Sequence, residues 1–252
     1  MTKLLQLIFL IILLFFMQAC SLSQSEIKSI AQTNSASQIE SFKTEVLKDL
    51  ILYKKKLDLR NPNAFNKDLK NSIIQQIKEN KNFINLVQNS KVLVTPNEYF
   101  YYAFSTQNIN NRNDLLILGL YKLIFDAYKM DEKHQFSAIE YDKEKMIKLY
   151  EYLQIVRWKI RTAKDDKENY LFNTWQNNWQ LELAKKYKGD YNIINELSYI
   201  KSNNESIYDS SNFSYEIVIS RMITNIEHTL RKINIEPYEM SVSIFKGFIF
   251  II

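Results

Sequence analysis

Few residues in this chain of 252 are of a type that performs chemistry unaided, for it holds two histidines, one cysteine and three glycines. His134, in Asp131-Glu132-Lys133-His134, lies where a helix end with nearby acids would favour its charged form. No second ligand-type residue stands at HxxxH or HxH spacing from it. His228 follows Glu227 beside an apolar seam of Ile226 and Leu230, which places it on a polar helix side. Gly119, Gly189 and Gly247 are too scattered to build a phosphate-cradling loop, and no GxSxG occurs. No metal, no cofactor and no assignable catalytic residue is therefore expected. Serines and acids are abundant, and their meeting in space is not readable from spacing, so a hydrolase stays open as an alternative.

Recognition has a better candidate in Trp175-Gln176-Asn177-Asn178-Trp179-Gln180. On a helix the i, i+4 spacing sets both indoles on one face, with amide side chains such as Gln176 and Gln180 beside them. Such a face could stack on a sugar or peptide while the amides hydrogen-bond it. The competing reading is packing, in which each ring buries about 150–250 Å² in a core or domain junction. Trp158 is near enough in sequence to join that cluster.

The position of Cys20 bears on where such a body sits. Lys3 precedes eleven apolar residues, Leu7–Met17, too few for the roughly 20 that a membrane-spanning helix needs. Charge order and length suit a secretory signal. Its end, Met17-Gln18-Ala19-Cys20, resembles the lipobox of bacterial lipoproteins, with Gln18 less usual there than Ser or Ala. The resemblance implies cleavage before Cys20, diacylglycerol on its thiol and acylation of the new amine. It also implies a lipid-anchored, extracytoplasmic protein, in the outer membrane if the cell has two, since Ser21 rather than Asp follows the cysteine. Multiple acyl chains at ~0.8 kcal/mol per methylene are enough for stable anchoring. The alternative is an ordinary signal followed by a free cysteine.

Removing 19 residues leaves 233, enough for one large domain or two small ones. Loss of Lys3 takes the basic residues from 33 to 32 against 28 acidic, a net +4. That is mild, and nucleic acid is not expected as a partner. The densest run, Lys54-Lys55-Lys56, reads as a solvated helix face, with attraction to anionic headgroups or envelope polymers as the alternative.

Three glycines and three prolines are too few for a turn-rich sandwich, although Asn can supply left-handed turn positions. The chain should be all-α, or mostly so: a multi-helix domain with antiparallel helices. Its expected divisions are a signal over 1–19, a lipidated N-terminus and flexible tether over 20–37, a polar helical hairpin over 38–92 and a main helical domain over 93–252. The tether would span ~20–25 Å.

In the hairpin, Val46, Leu47, Leu50, Ile51 and Leu57 mark one helix, and Leu69, Ile73, Ile77, Ile84 and Val87 another, with Asn61-Pro62 between. Thr95-Pro96-Asn97-Glu98 is a capping box with proline at the first helical position. Leu115–Tyr128, apolar nearly all round, is the expected central helix. His134–Tyr141 has partial alternation, too short to found a sheet. Asp142 caps a helix with a seam of Met146, Leu149, Leu153, Val156 and Ile160; helices over Asn173–Lys188 and Ile193–Ile200 follow. A second seam, Ile219, Met222, Ile226, Leu230 and Ile233, precedes the break at Glu236-Pro237 and a last apolar helix, Met240–Ile252. These features point to a binding or structural role in the envelope, with the membrane as partner through Cys20 and an envelope protein, peptide or glycan as possible ligand.

Overall fold

The computed structural model describes residues 24–132, 140–174, 178–208 and 214–237, with side chains from 33 onward and without that of 181. The expected signal, Cys20, His134, Trp175, Gln176 and the segment Met240–Ile252 lie outside the described residues. The described chain is mostly helical: α1 (Gln24–Arg60), α2 (Lys70–Lys78), a hairpin of β1 (Val87–Gln88) and β2 (Lys91–Val92), α3 (Pro96–Ala103), α4 (Arg112–Ala127), α5 (Lys143–Thr162), α6 (Asn178–Lys186), a 3-10 turn (Asn192–Glu196), α7 (Ser198–Lys201) and α8 (Tyr215–Lys232).

The two seams do pack lengthwise, with α8 as the shared partner. Along α1, Lys56 O accepts from Tyr215 Oη at 3.0 Å, Asp49 pairs with Arg221, and Phe42 meets the His228 ring at 5.3 Å, so the helices are antiparallel. Along α5, Arg157 meets Glu216 at 2.8 Å and Tyr150 meets Glu227 at 3.1 Å, again antiparallel. Val218, Ile219, Met222, Ile226 and Leu230 are buried between them, as their three-and-four spacing requires.

Beneath them lies α4, whose residues from Arg112 to Ile124 are all buried. It approaches α3 closely: a Cβ on Gly119 would lie 3.0 Å from the side chains of Tyr99 and Phe100. The cap residues behave locally as their types dictate. Thr95 and Glu98 form the reciprocal box on α3, and the Glu98 carboxyl is drawn down to about 2, chiefly by Lys91 and then by the backbone N–H groups of Thr95 and Val94. The Asp142 carboxylate accepts from the N–H groups of Glu144 and Lys145.

Several expectations need correction. Helix α2 stops at Lys78, with Asn80 in the left-handed region, so Ile84 and Val87 are not helical. The cause is Gln76, whose side-chain oxygen accepts from Phe83 and Ile84 N–H at 2.9 and 2.7 Å and folds the chain back. Ile84 then reaches the core in extended chain, while Asn89 and Ser90, both at positive φ, close the small hairpin. Of the stretch expected as tether, 24–37 are described as the first turns of α1, with no Gly or Pro among them, and Ala36 is buried.

Helix α1 spends its buried face mainly on α8 and α4 rather than on α2, and one cluster of buried apolar residues runs from Ile39 to Ile233. The helix expected over Asn173–Lys188 is described as α6 only from Asn178 to Lys186, and Ile193–Ile200 divides into the 3-10 turn and α7. Among the described residues no helix is long and apolar enough to cross a membrane.

Candidate functional site

The described half of the tryptophan face offers packing. Trp179 keeps 9% of its surface, and its backbone N–H donates to Glu205 Oε2 at 3.1 Å. Gln180 beside it is half-buried, and Trp158 on α5 is 42% exposed. His228 is exposed, as expected, with Phe42 against its ring. Among the described residues no group of His, Cys, Asp and Glu could hold a metal ion.

A different site is assembled where α1 ends, from residues the lysine run concealed. Lys54, expected in solvent, is fully buried, as is most of Lys56, whose ammonium lies 5.1 Å from the Tyr215 ring centroid. Lys54 Nζ sits 3.0 Å from Asp58 Oδ2, one turn on, and 2.8 Å from Asp114 Oδ1 in the first turn of α4. Asn113 Nδ2 donates to Asp58 Oδ1 at 3.2 Å and to Asn61 O at 3.3 Å, and Asp114 Oδ2 accepts Asn66 N–H at 2.7 Å.

A buried charge survives only when paired and hydrogen-bonded, and this ammonium has two carboxylates. The second negative charge is offset by the N-terminus of α4 and the Asn66 N–H. Burial nevertheless dominates at Asp58, holding its carboxyl above the ordinary value although Lys54 and Asn113 pull it down.

That network fixes the loop after α1, and two further devices fix its neighbours. Arg112, buried, donates through Nη1 to Ala103 O at 2.7 Å and Ser105 O at 2.8 Å, and through Nη2 to Gln107 O at 2.7 Å, so one guanidinium shapes the α3–α4 loop. Its burial lowers its pKa. Asn61 clamps the segment after α5: Oδ1 accepts Asn173 N–H at 2.7 Å while Nδ2 donates to Asn173 O at 3.2 Å. Within that segment Asp165 closes its own turn by accepting the N–H groups of Lys167 and Asn169, and these bonds, Asn169 first, keep its carboxyl below the ordinary value.

The three loops enclose a cleft of about 640 Å³. Asn63, Thr106, Gln107, Asn108, Asp166 and Tyr170 line it, with Tyr170 62% exposed. Each amide offers a donor and an acceptor, the hydroxyl both, and the ring a flat apolar face. The amides, hydroxyl and ring suit recognition by hydrogen bonds and stacking, and Arg112, Asp165, Asp166 and Lys167 add charges of both signs to the lining. Loops carried on a rigid helical scaffold are the usual place for such work. In sequence these segments read only as connections: nothing local ties Asn61 to Asn173, 112 residues away. No family model matches this chain, and neither a curated protein nor a solved structure does.

Proposed function

We propose that the chain is a lipid-anchored, extracytoplasmic envelope protein with a binding role, and that the loop-built cleft beyond α1 is its recognition surface. The anchor rests on the Leu7–Cys20 arrangement and its resemblance to a lipobox. The binding role rests on one observation: three separate loops are held around an amide-lined cleft, two of them by the buried polar groups Lys54, Asp58, Asn113, Asp114 and Arg112 and the third by the half-buried Asn61. A buried network of this kind is costly as a mere stabiliser, and preorganised loops give it a purpose. With α1 rising ~1.5 Å per residue over 37 residues, the cleft stands roughly 55 Å along that helix from Gln24. An anchor on Cys20 would then join the chain near the opposite end of α1 from the cleft.

Two measurements test the two parts. Cys20→Ala should abolish labelling by a radioactive or clickable fatty acid and alter processing; undiminished labelling in that variant sinks the anchor. Asn108→Ala/Tyr170→Ala should weaken binding to envelope fractions by ~1 kcal/mol or more with an unchanged melting temperature, because both side chains are outside the core. A folded double variant with full binding removes the cleft from consideration.

A further inference from the structure

Beside the amide-lined cleft, across Pro62, lies a second one of about 850 Å³ with a different lining. It carries Lys48, Lys55, Lys67 and Lys70 around the half-buried ring of Phe65. Lys70 Nζ and the buried Lys54 Nζ stand 5.6 and 5.5 Å from the Phe65 centroid.

The carboxylates of this wall are mostly engaged already. Asp58 is on Lys54, Asp49 on Arg221 and Glu45 on Lys48, while Glu205 Oε2 accepts the Trp179 backbone N–H. Among the described residues Lys55, Lys67 and Lys70 have no acid partner within salt-bridge distance. The result is a positive trough with one aromatic ring, continuous at Pro62 with an amide-rich trough whose charges, Asp165 and Asp166 against Lys167 and Arg112, balance, and which also has one aromatic ring, Tyr170.

From this juxtaposition we infer that the ligand is an acidic glycan strand, its hydroxyls taken by the first cleft and its anionic groups by the lysines of the second. The inference rests on the cleft being the recognition surface, and adds the class of ligand. Amides match hydroxyls because each gives and accepts a hydrogen bond, and the exposed ring of Tyr170, which has Lys164 Nζ 5.3 Å from its centroid, can stack its remaining face on a sugar ring, while Phe65 is taken up by Lys54 and Lys70. Lysine is a point charge without the planar fork of arginine, so the site reads negative charge rather than the shape of a carboxylate or a phosphate. A polymer of one charge lacking hydroxyls would use only the second cleft, and a neutral glycan only the first.

The test uses the full chain purified in detergent and three probes of equal length: an oligogalacturonate, a neutral cello-oligosaccharide and inorganic polyphosphate. Oligogalacturonate should bind most tightly and lose affinity as salt rises, since exposed charges are screened. Lys67→Gln/Lys70→Gln should weaken it roughly tenfold and leave the neutral probe unchanged. Asn108→Ala/Tyr170→Ala should weaken both glycans and spare polyphosphate. Equal affinity for the acidic and neutral glycans overturns the inference, as does polyphosphate binding as tightly as oligogalacturonate, which would mark an ordinary basic patch. Absence of binding to all three probes overturns it too. If the lysine pair tests negative while Asn108→Ala/Tyr170→Ala still loses envelope binding, the acidic-glycan inference alone has failed. If Asn108→Ala/Tyr170→Ala keeps envelope binding, the recognition cleft itself has failed.

Discussion

Lys54→Met is expected to lower the folding free energy by about 3–5 kcal/mol, the usual loss when one member of a buried charge network is removed. Methionine fills much of the space, so the effect is electrostatic. Asp58 and Asp114, at most 3% exposed, would face each other with no cation between them. For a domain of this size each kcal/mol moves the melting temperature by about 2–4 °C, so the shift should be plain in a circular dichroism melt.

Acidity supplies a signature that packing loss cannot imitate. Without Lys54, burial acts unopposed by that cation on the Asp58 carboxyl and holds its folded pKa further above the unfolded one, so the folded state binds this proton more tightly, and part of the lost stability returns as the pH falls through the raised value. The same sign already applies to Asp58 in the native protein, where burial outweighs Lys54. A Lys54→Met loss under ~1 kcal/mol, or one that does not shrink at acid pH, would show that the network is not what holds this end of the molecule.

Leu120→Asp should be comparably severe for a different reason. Leu120 has no exposed surface and lies on a helix buried around almost its whole circumference. The substitution forfeits the transfer energy of leucine and adds a carboxylate in apolar surroundings. Lys122, the nearby cation on the same helix, is engaged by the side-chain oxygens of Asn82 and Asn85 at 3.0 and 2.9 Å. A cost of several kcal/mol consumes much of a domain's ~5–15 kcal/mol. Leu120→Met, which keeps volume and polarity, should cost less than about 1.5 kcal/mol and serves as the control. If Leu120→Asp melts with the parent, α4 is not the centre of the core.

What could be read from sequence was local or periodic. Thr95-Pro96-Asn97-Glu98 needs only its own four residues to start α3, Asp142 needs only Glu144 and Lys145, and the seams of α5 and α8 announce themselves by spacing. The misread places depend on partners that spacing does not show. A lysine run resembles a wet surface until Asp114, 60 residues on, is known to sit beside Lys54. Leu69 through Val87 reads as one helix because its apolar positions continue, whereas the Gln76 side chain captures two backbone N–H groups and ends it. The cleft was least legible, because its polar residues follow no period and its shape comes from Asn61 and Arg112 acting across loops.

The antiparallel pairing of α1 with α8 also sets a timetable for folding. Its contacts join residues far apart in the chain: Tyr215 meets Lys56 159 positions away, Arg221 meets Asp49 172 away, and His228 meets Phe42. A chain is produced from its N-terminus at about 5–20 residues per second, so on the order of 10 s separates the appearance of Lys56 from that of Tyr215. Through that interval Val46, Leu50, Tyr53 and Leu57, all buried in the finished protein, lie on a helix still without α8, its main packing partner. Closure must also wait for a long loop to be drawn together, which slows folding further.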